Sequence, residues 1–183
     1  MSDSYTYSVF NEYAHFFIGD ALSKLYDYKE PPIIVCIGSD LVLGDSLGPL
    51  IGTNLSRLRI GAYVYGTLGR TVTAKEVVII NEYLRKTHPN RKILAIDAAV
   101  GLKEDVGKIR VLNHGIKPGL GFNKNLDLTG DISIIGIVAE KSEKNHKLLN
   151  TTRLNLVYKM AESISKGVKR FVDSTVMTNK KYA

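Results

Sequence analysis

Two aspartates in this chain occupy positions where an acid is costly to place. In Ile93-Leu94-Ala95-Ile96-Asp97-Ala98-Ala99 a carboxylate directly follows four apolar residues. A carboxyl group half buried at the end of an apolar strand needs a hydrogen-bond partner, a cation, a metal or a shared proton. The second, Asp45, closes the loop Gly38-Ser39-Asp40-Leu41-Val42-Leu43-Gly44-Asp45 and stands just before Ser46-Leu47-Gly48-Pro49, which reads as a helix start. If the two share a proton, one acts as base on water and the other as acid, because like charges at close range split their pKa values. If a divalent ion lies between them with His114 as third ligand, the ion polarises a carbonyl or acidifies its bound water. Simpler roles compete with both. Asp45 could cap the following helix, and Asp97 could tie a neighbouring loop through backbone amides.

A third segment, Asn113-His114-Gly115-Ile116-Lys117-Pro118-Gly119-Leu120-Gly121-Phe122-Asn123-Lys124, is too rich in glycine for regular structure. Its backbone could approach a bound peptide closely, so Gly115, Gly119, Gly121, Asn123 and Lys124 are candidate substrate contacts, with Ser39, Asp40 and Gly44 from the first loop. It reads equally as an ordinary surface loop. His15, His88, His114 and His146 are scattered without metal-binding spacing. No G-x-G-x-x-G, lysine-bearing P-loop or G-x-S-x-G is present, and an aspartate at a helix start repels phosphate. Dinucleotide binding and a serine mechanism are thereby disfavoured.

The elements that must position these residues alternate in type. Apolar spacings of three and four over residues 7–28 predict an amphipathic covering helix that ends before Pro31-Pro32. Ile33 to Ile37 is a continuous apolar run, which suits a central parallel strand covered on both faces. Helical spacing resumes from Asp45, where Pro49 is acceptable in a first turn. Further strands are expected at 62–65, 93–96, 108–112 and 132–138, with helices at 74–86 and 154–172 and a frayed polar tail at 175–183. This order predicts a three-layer α/β/α fold around a mostly parallel sheet, one domain over residues 1–183 with its core at 31–174. Ligands in such folds sit beyond the carboxyl ends of the strands, where both aspartates fall.

Composition narrows the setting. Hydrophobic residues make up 44% and charged residues 23%, which fits neither wholesale disorder nor a fibre. The net charge of +7 invites a nucleic-acid reading, but residues 1–140 hold 15 basic and 15 acidic side chains, against 10 and 3 in residues 141–183. The excess therefore lies in the last 43 residues, where the basic side chains interleave with the apolar stripe of an amphipathic helix as its solvated back, which argues against nucleic acid. No apolar run is long enough for a membrane span, and the start is polar, not that of a secretion signal. A lone cysteine, Cys36, inside an apolar run points to a reducing cytoplasm and to an inert thiol.

In the same order as these segments, the chain resembles the YyaC-type sporulation proteins, themselves similar to the spore germination protease and more distantly to the hydrogenase maturation endopeptidases. The resemblance rests on Ile37-Gly38 through Gly44-Asp45-Ser46-Leu47-Gly48-Pro49-Leu50, on Ala95-Ile96-Asp97-Ala98, and on Gly115-Ile116-Lys117-Pro118-Gly119-Leu120-Gly121 with Asn123-Lys124. It covers residues 33–140, and it implies the same three-layer fold. The germination protease's unusual pair of aspartates maps onto Asp45 and Asp97. The metal-binding acid, aspartate and histidine of the hydrogenase branch map onto Asp45, Asp97 and His114, which would imply zinc or nickel. The chain lacks the length for the germination protease's propeptide and added elements.

The expectation is a cytoplasmic peptidase of a spore-forming bacterium, acting on a protein or peptide with Asp45 and Asp97. Two alternatives stand beside it: a partner-binding protein that keeps the groove, and a metal-dependent endopeptidase. A homo-oligomer is left open.

Overall fold

A computed structural model describes residues 4–118, 128–141 and 152–181, with side chains up to residue 177 in the last helix. The described residues form β1 (Ser4–Ser8), α1 (Ala14–Leu25), β2 (Ile33–Cys36), α2 (Leu47–Arg57), β3 (Val64–Tyr65), α3 (Val77–Thr87), β4 (Ile93–Gly101), β5 (Lys108–Leu112), β6 (Ile132–Glu140) and α4 (Leu154–Lys181). Short 3-10 turns occupy Gly44–Ser46 and Lys103–Asp105.

The six strands form one sheet in the order β1-β5-β6-β4-β2-β3. β3, β2, β4 and β6 are mutually parallel, β5 runs against β6, and β1 runs against β5. Five strands thus share one direction and β5 alone opposes them. The continuous apolar runs at β2 and β4 follow from burial on both faces. Ile34, Cys36, Leu94 and Ile96 point into a core with α1, α2 and α4. Their alternates Ile33, Val35, Ile37, Ile93 and Ala95 point into a second core with Val77 and Leu84 of α3. Three layers result, α/β/α.

The first two elements and the last differ from the sequence expectation. Residues 4–8 are a strand, because Ser4-Tyr5-Thr6-Tyr7-Ser8 alternates polar and aromatic side chains, a period-two pattern masked by the helical spacing after it. The first helix is correspondingly short, beginning at Ala14 behind an Asn11 side chain that accepts from the Tyr13 amide at 2.9 Å. α4 runs on through the expected tail to Lys181, where Val176 packs near Gly61 and joins the edge of the larger core. α1 lies on α4 and β1, so it does not stand over the carboxyl ends of β2 and β4.

Along α4 the expected solvated charges are tied in pairs: Lys166 with Glu162, Lys169 with Asp173, and Arg170 with Asp20. Among the described residues no helix is long and apolar enough to cross a membrane.

Candidate active site

From β2 the chain goes to β3 on one side and then returns to β4 on the other, so the crevice between β2 and β4 is the switch point of the sheet. Both aspartates lie there. β2 ends at Cys36, and the Ile37 amide still donates to the Ile96 carbonyl at 2.7 Å. Gly38 then turns at φ +142°, a conformation open to glycine, and a β-carbon there would collide with the Asp45 carbonyl. The Ser39 amide donates to that same carbonyl at 3.2 Å, and the Ser46 hydroxyl donates to the Leu43 carbonyl at 2.6 Å. Gly48 opens α2 pressed against the Ile37 backbone, where any side chain would clash. These two glycines hold the Asp45 turn directly on the end of β2, in contact with β4.

Asp97 lies within β4, in register with Ile135 of β6. Its Oδ1 accepts from the Ala98 amide at 2.8 Å. β4 runs beyond the expected 93–96 to Gly101 because its pairing with β6 continues, with a bulge opposite Ala99 and Val100. The Asp97 carboxyl is set among dense protein, and burial pushes it up to about 7; the Ala98 hydrogen bond opposes this, and the nearby Asp45 charge adds to it. Asp45 is also raised by burial, against a backbone hydrogen bond from Ser39. The 3-10 turn and α2 have no side-chain cap at their N-caps, the Asp45 carboxyl accepts from the Ser39 amide, and among the described residues the hydrogen bond of Asp97 is to the Ala98 amide. Ser39 is half buried, Asp40 is exposed, and Gly44 is buried within the turn.

His114 is not brought to this pair. β5 runs opposite to β4, so the residue after its end emerges near the start of β6, where the Ser133 hydroxyl donates to the His114 carbonyl at 2.7 Å. Its exposed ring places Nδ1 2.8 Å from the Gly115 carbonyl, and Gly115 packs on Thr129 and Gly130. Asp97 pairs three residues further along β4 than Leu94, which faces Ile132 at that starting end. Gly119, Gly121, Asn123 and Lys124 lie outside the described residues. Among the described residues no group of three His, Cys, Asp or Glu side chains is gathered to hold a metal ion. The expected zinc or nickel set of Asp45, Asp97 and His114 therefore does not fit this fold: the direction of β5 separates the imidazole from the carboxylates.

The arrangement leaves two carboxyls of unequal acidity at a sheet crevice, which suits shared-proton chemistry. Residues 5–167 match a family described as Protein of unknown function (DUF1256). The chain belongs to this family. It is also 38% identical over 140 residues to the Uncharacterized protein YyaC of Bacillus subtilis (strain 168), across 76% of this chain and 68% of that protein. The matched part of this DUF1256 chain spans the sheet from β1 to β6 and both carboxylates.

What the sequence did not reveal is the backbone around Asp97. The Ala98 amide that holds the carboxyl carries no side-chain signal, and only the strand's continuation through Ala98-Ala99-Val100 locates it.

Proposed function

We propose that this chain hydrolyses peptide bonds, with Asp97 as the general acid and Asp45 as the general base. The reading is supported above all by one observation, the Asp97 carboxyl raised to about 7 beside Asp45 at the switch point of the sheet. Ionised Asp45 takes a proton from water as the oxygen attacks the peptide carbonyl carbon. Protonated Asp97 donates to the carbonyl oxygen, and the tetrahedral intermediate collapses as a proton passes to the leaving nitrogen. A product carboxylic acid and amine leave, and the pair returns to one shared proton.

The resemblance of the three ordered segments to sporulation proteins and the germination protease supports a role for this activity in spore formation or germination. The buried Cys36, whose thiol burial pushes far up, accords with a reducing cytoplasm.

The test is incubation of purified protein with an unfolded polypeptide and detection of new amino termini by mass spectrometry. Wild-type protein is expected to generate them, and Asp97→Asn to lose about a hundredfold or more of the rate while remaining folded. Equal rates for both proteins exclude the carboxylate pair. Wild-type protein that binds the polypeptide without cutting it is instead a partner-binding member of the family.

A further inference from the structure

β4 is paired on both sides only as far as Ile96. Its partner β2 stops at Cys36, the Ile37 amide makes the last hydrogen bond of that ladder, to the Ile96 carbonyl, and the Asp45 turn then packs against β4. On the other side β4 stays bonded to β6 through Gly101, whose carbonyl accepts from the Lys141 amide at 2.7 Å. Backbone groups alternate sides along a strand. The groups of Ile96 face β2 and those of Gly101 face β6, so those of Ala98 and Val100 face the side that β2 has vacated. The Ala98 amide is taken by Asp97 Oδ1. Among the described residues, neither the Ala98 carbonyl nor either backbone group of Val100 bonds a side chain or a segment outside the strands. Val100 is 37% exposed, and Ala98 is half buried.

We propose that the open edge of β4 at Ala98 and Val100 binds an extended, unfolded polypeptide as an added strand, which lays its backbone across Asp97 and Asp45. An extended chain supplies a carbonyl for the Val100 amide and an amide for the Ala98 or Val100 carbonyl, which are the contacts of strand addition. One or two residues further along the added chain, its peptide group comes level with Asp97, because the Ala98 amide draws that carboxyl to the same side of the strand. Recognition runs through backbone, so the ligand class is unfolded polypeptide with little demand on sequence, and a folded domain is rejected for lack of a free strand. The inference deepens the peptidase reading and rests on it for the fate of the bound chain; binding stands on the edge alone.

The test uses hydrogen exchange at single amides in the full-length Asp97→Asn protein, which keeps Oδ1. The probe is a reduced and carboxymethylated protein that cannot refold, with its disulfide-intact form as control. The unfolded probe is expected to slow exchange of the Val100 amide about tenfold or more and the folded control to leave it unchanged. Val100→Pro, which removes that amide, is expected to weaken binding about tenfold, and Val100→Ala to preserve it. No binding of the unfolded probe, or binding without change at the Val100 amide, overturns the inference whether or not Val100→Pro folds. Hydrolysis by wild-type protein is scored separately. Protection of Val100 without hydrolysis removes the peptidase reading and leaves the edge; hydrolysis without protection does the reverse.

Discussion

The Asp97 carboxylate and the Ala98 amide are joined at 2.8 Å just past Ile96, the last residue of β4 that pairs with β2. That bond orients a candidate acid where the β2 ladder has ended and the β6 ladder continues. An amide that would otherwise await a neighbouring strand is used to steady a carboxyl, and the bond favours the ionised form against the burial that opposes it.

That balance predicts a stability change with a definite sign. Burial places the folded Asp97 pKa at about 7, above its ordinary 3.8, so the folded state binds the extra proton between those values. Stability contributed by this group is complete in acid and is lost as pH rises towards 7. Asp97→Asn removes the cost, and the variant should be more stable than wild type at pH 8 by roughly 2 to 4 kcal/mol, with the gain vanishing near pH 4. Urea denaturation at the two pH values measures it. A variant less stable at the higher pH would show that the carboxylate is held by a favourable partner.

Turnover should show two limbs. The proposed hydrolysis uses Asp97 protonated, so kcat/KM is expected to fall above about pH 7, and Asp45 ionised, so the rate is also expected to fall on the acid side. Burial shifts that acid limb above the usual aspartate range. A rate that stays level from about pH 6 to 9 contradicts the assignment of Asp97 as the acid.

Much of this was legible in the sequence because burial writes itself into composition. The unbroken apolar runs of β2 and β4, ending at Gly38 and Asp97, identified central parallel strands and put both carboxylates near the end of β2, although β4 itself runs on past Asp97 to Gly101. Strand direction left no such mark. Lys108 to Leu112 reads as a strand whichever way it runs, and its antiparallel course is what carries His114 away from the pair. The Ser4–Ser8 strand was hidden for a related reason, since Phe10, Tyr13 and Phe17 extend a helical spacing back over it. The open edge at Val100 depends on where β2 ends relative to β4, a register that one strand's residues do not encode.

The separation of His114 predicts metal behaviour. His114→Ala should leave bound zinc and nickel, assayed by equilibrium dialysis and atomic emission, at the wild-type level, and should leave turnover within about twofold. Stoichiometric metal that is lost in His114→Ala but kept in a distant histidine variant such as His88→Ala would require the loop after β5 to rearrange.

Gly38 supports the site through backbone alone. Alanine there meets two penalties, a φ of +142° that a β-carbon disfavours and a collision with the Asp45 carbonyl. Gly38→Ala should lose about 2 kcal/mol or more of stability and most of the turnover, since the Asp45 turn must shift. Gly69→Ala is the control, because open space surrounds that position. Chemical denaturation with parallel rate measurements distinguishes them, and a Gly38→Ala protein of normal stability and rate contradicts the packing of the turn on β2.

At the crossing of α1 and α4 two opposing terms decide the sign of a substitution. Gly167 lies in the middle of α4, where alanine would ordinarily gain about 1 kcal/mol of helix propensity. The added β-carbon would stand 2.8 Å from the Ile18 β-carbon and 2.9 Å from the His15 carbonyl. Neither neighbour is the free end of a flexible side chain, so relief requires the helices to move apart and to loosen the packing of Ile18 in the larger core. Overpacking should win, and Gly167→Ala is expected to destabilise by about 1 to 3 kcal/mol in thermal or urea unfolding. Because the crossing lies away from the carboxyl ends of β2 and β4, the folded variant should keep the wild-type pH profile of hydrolysis. A stabilised Gly167→Ala protein would mean that α1 can give way, and that the contact of α1 with α4 is looser than the close approach of Gly19 and Gly167 implies.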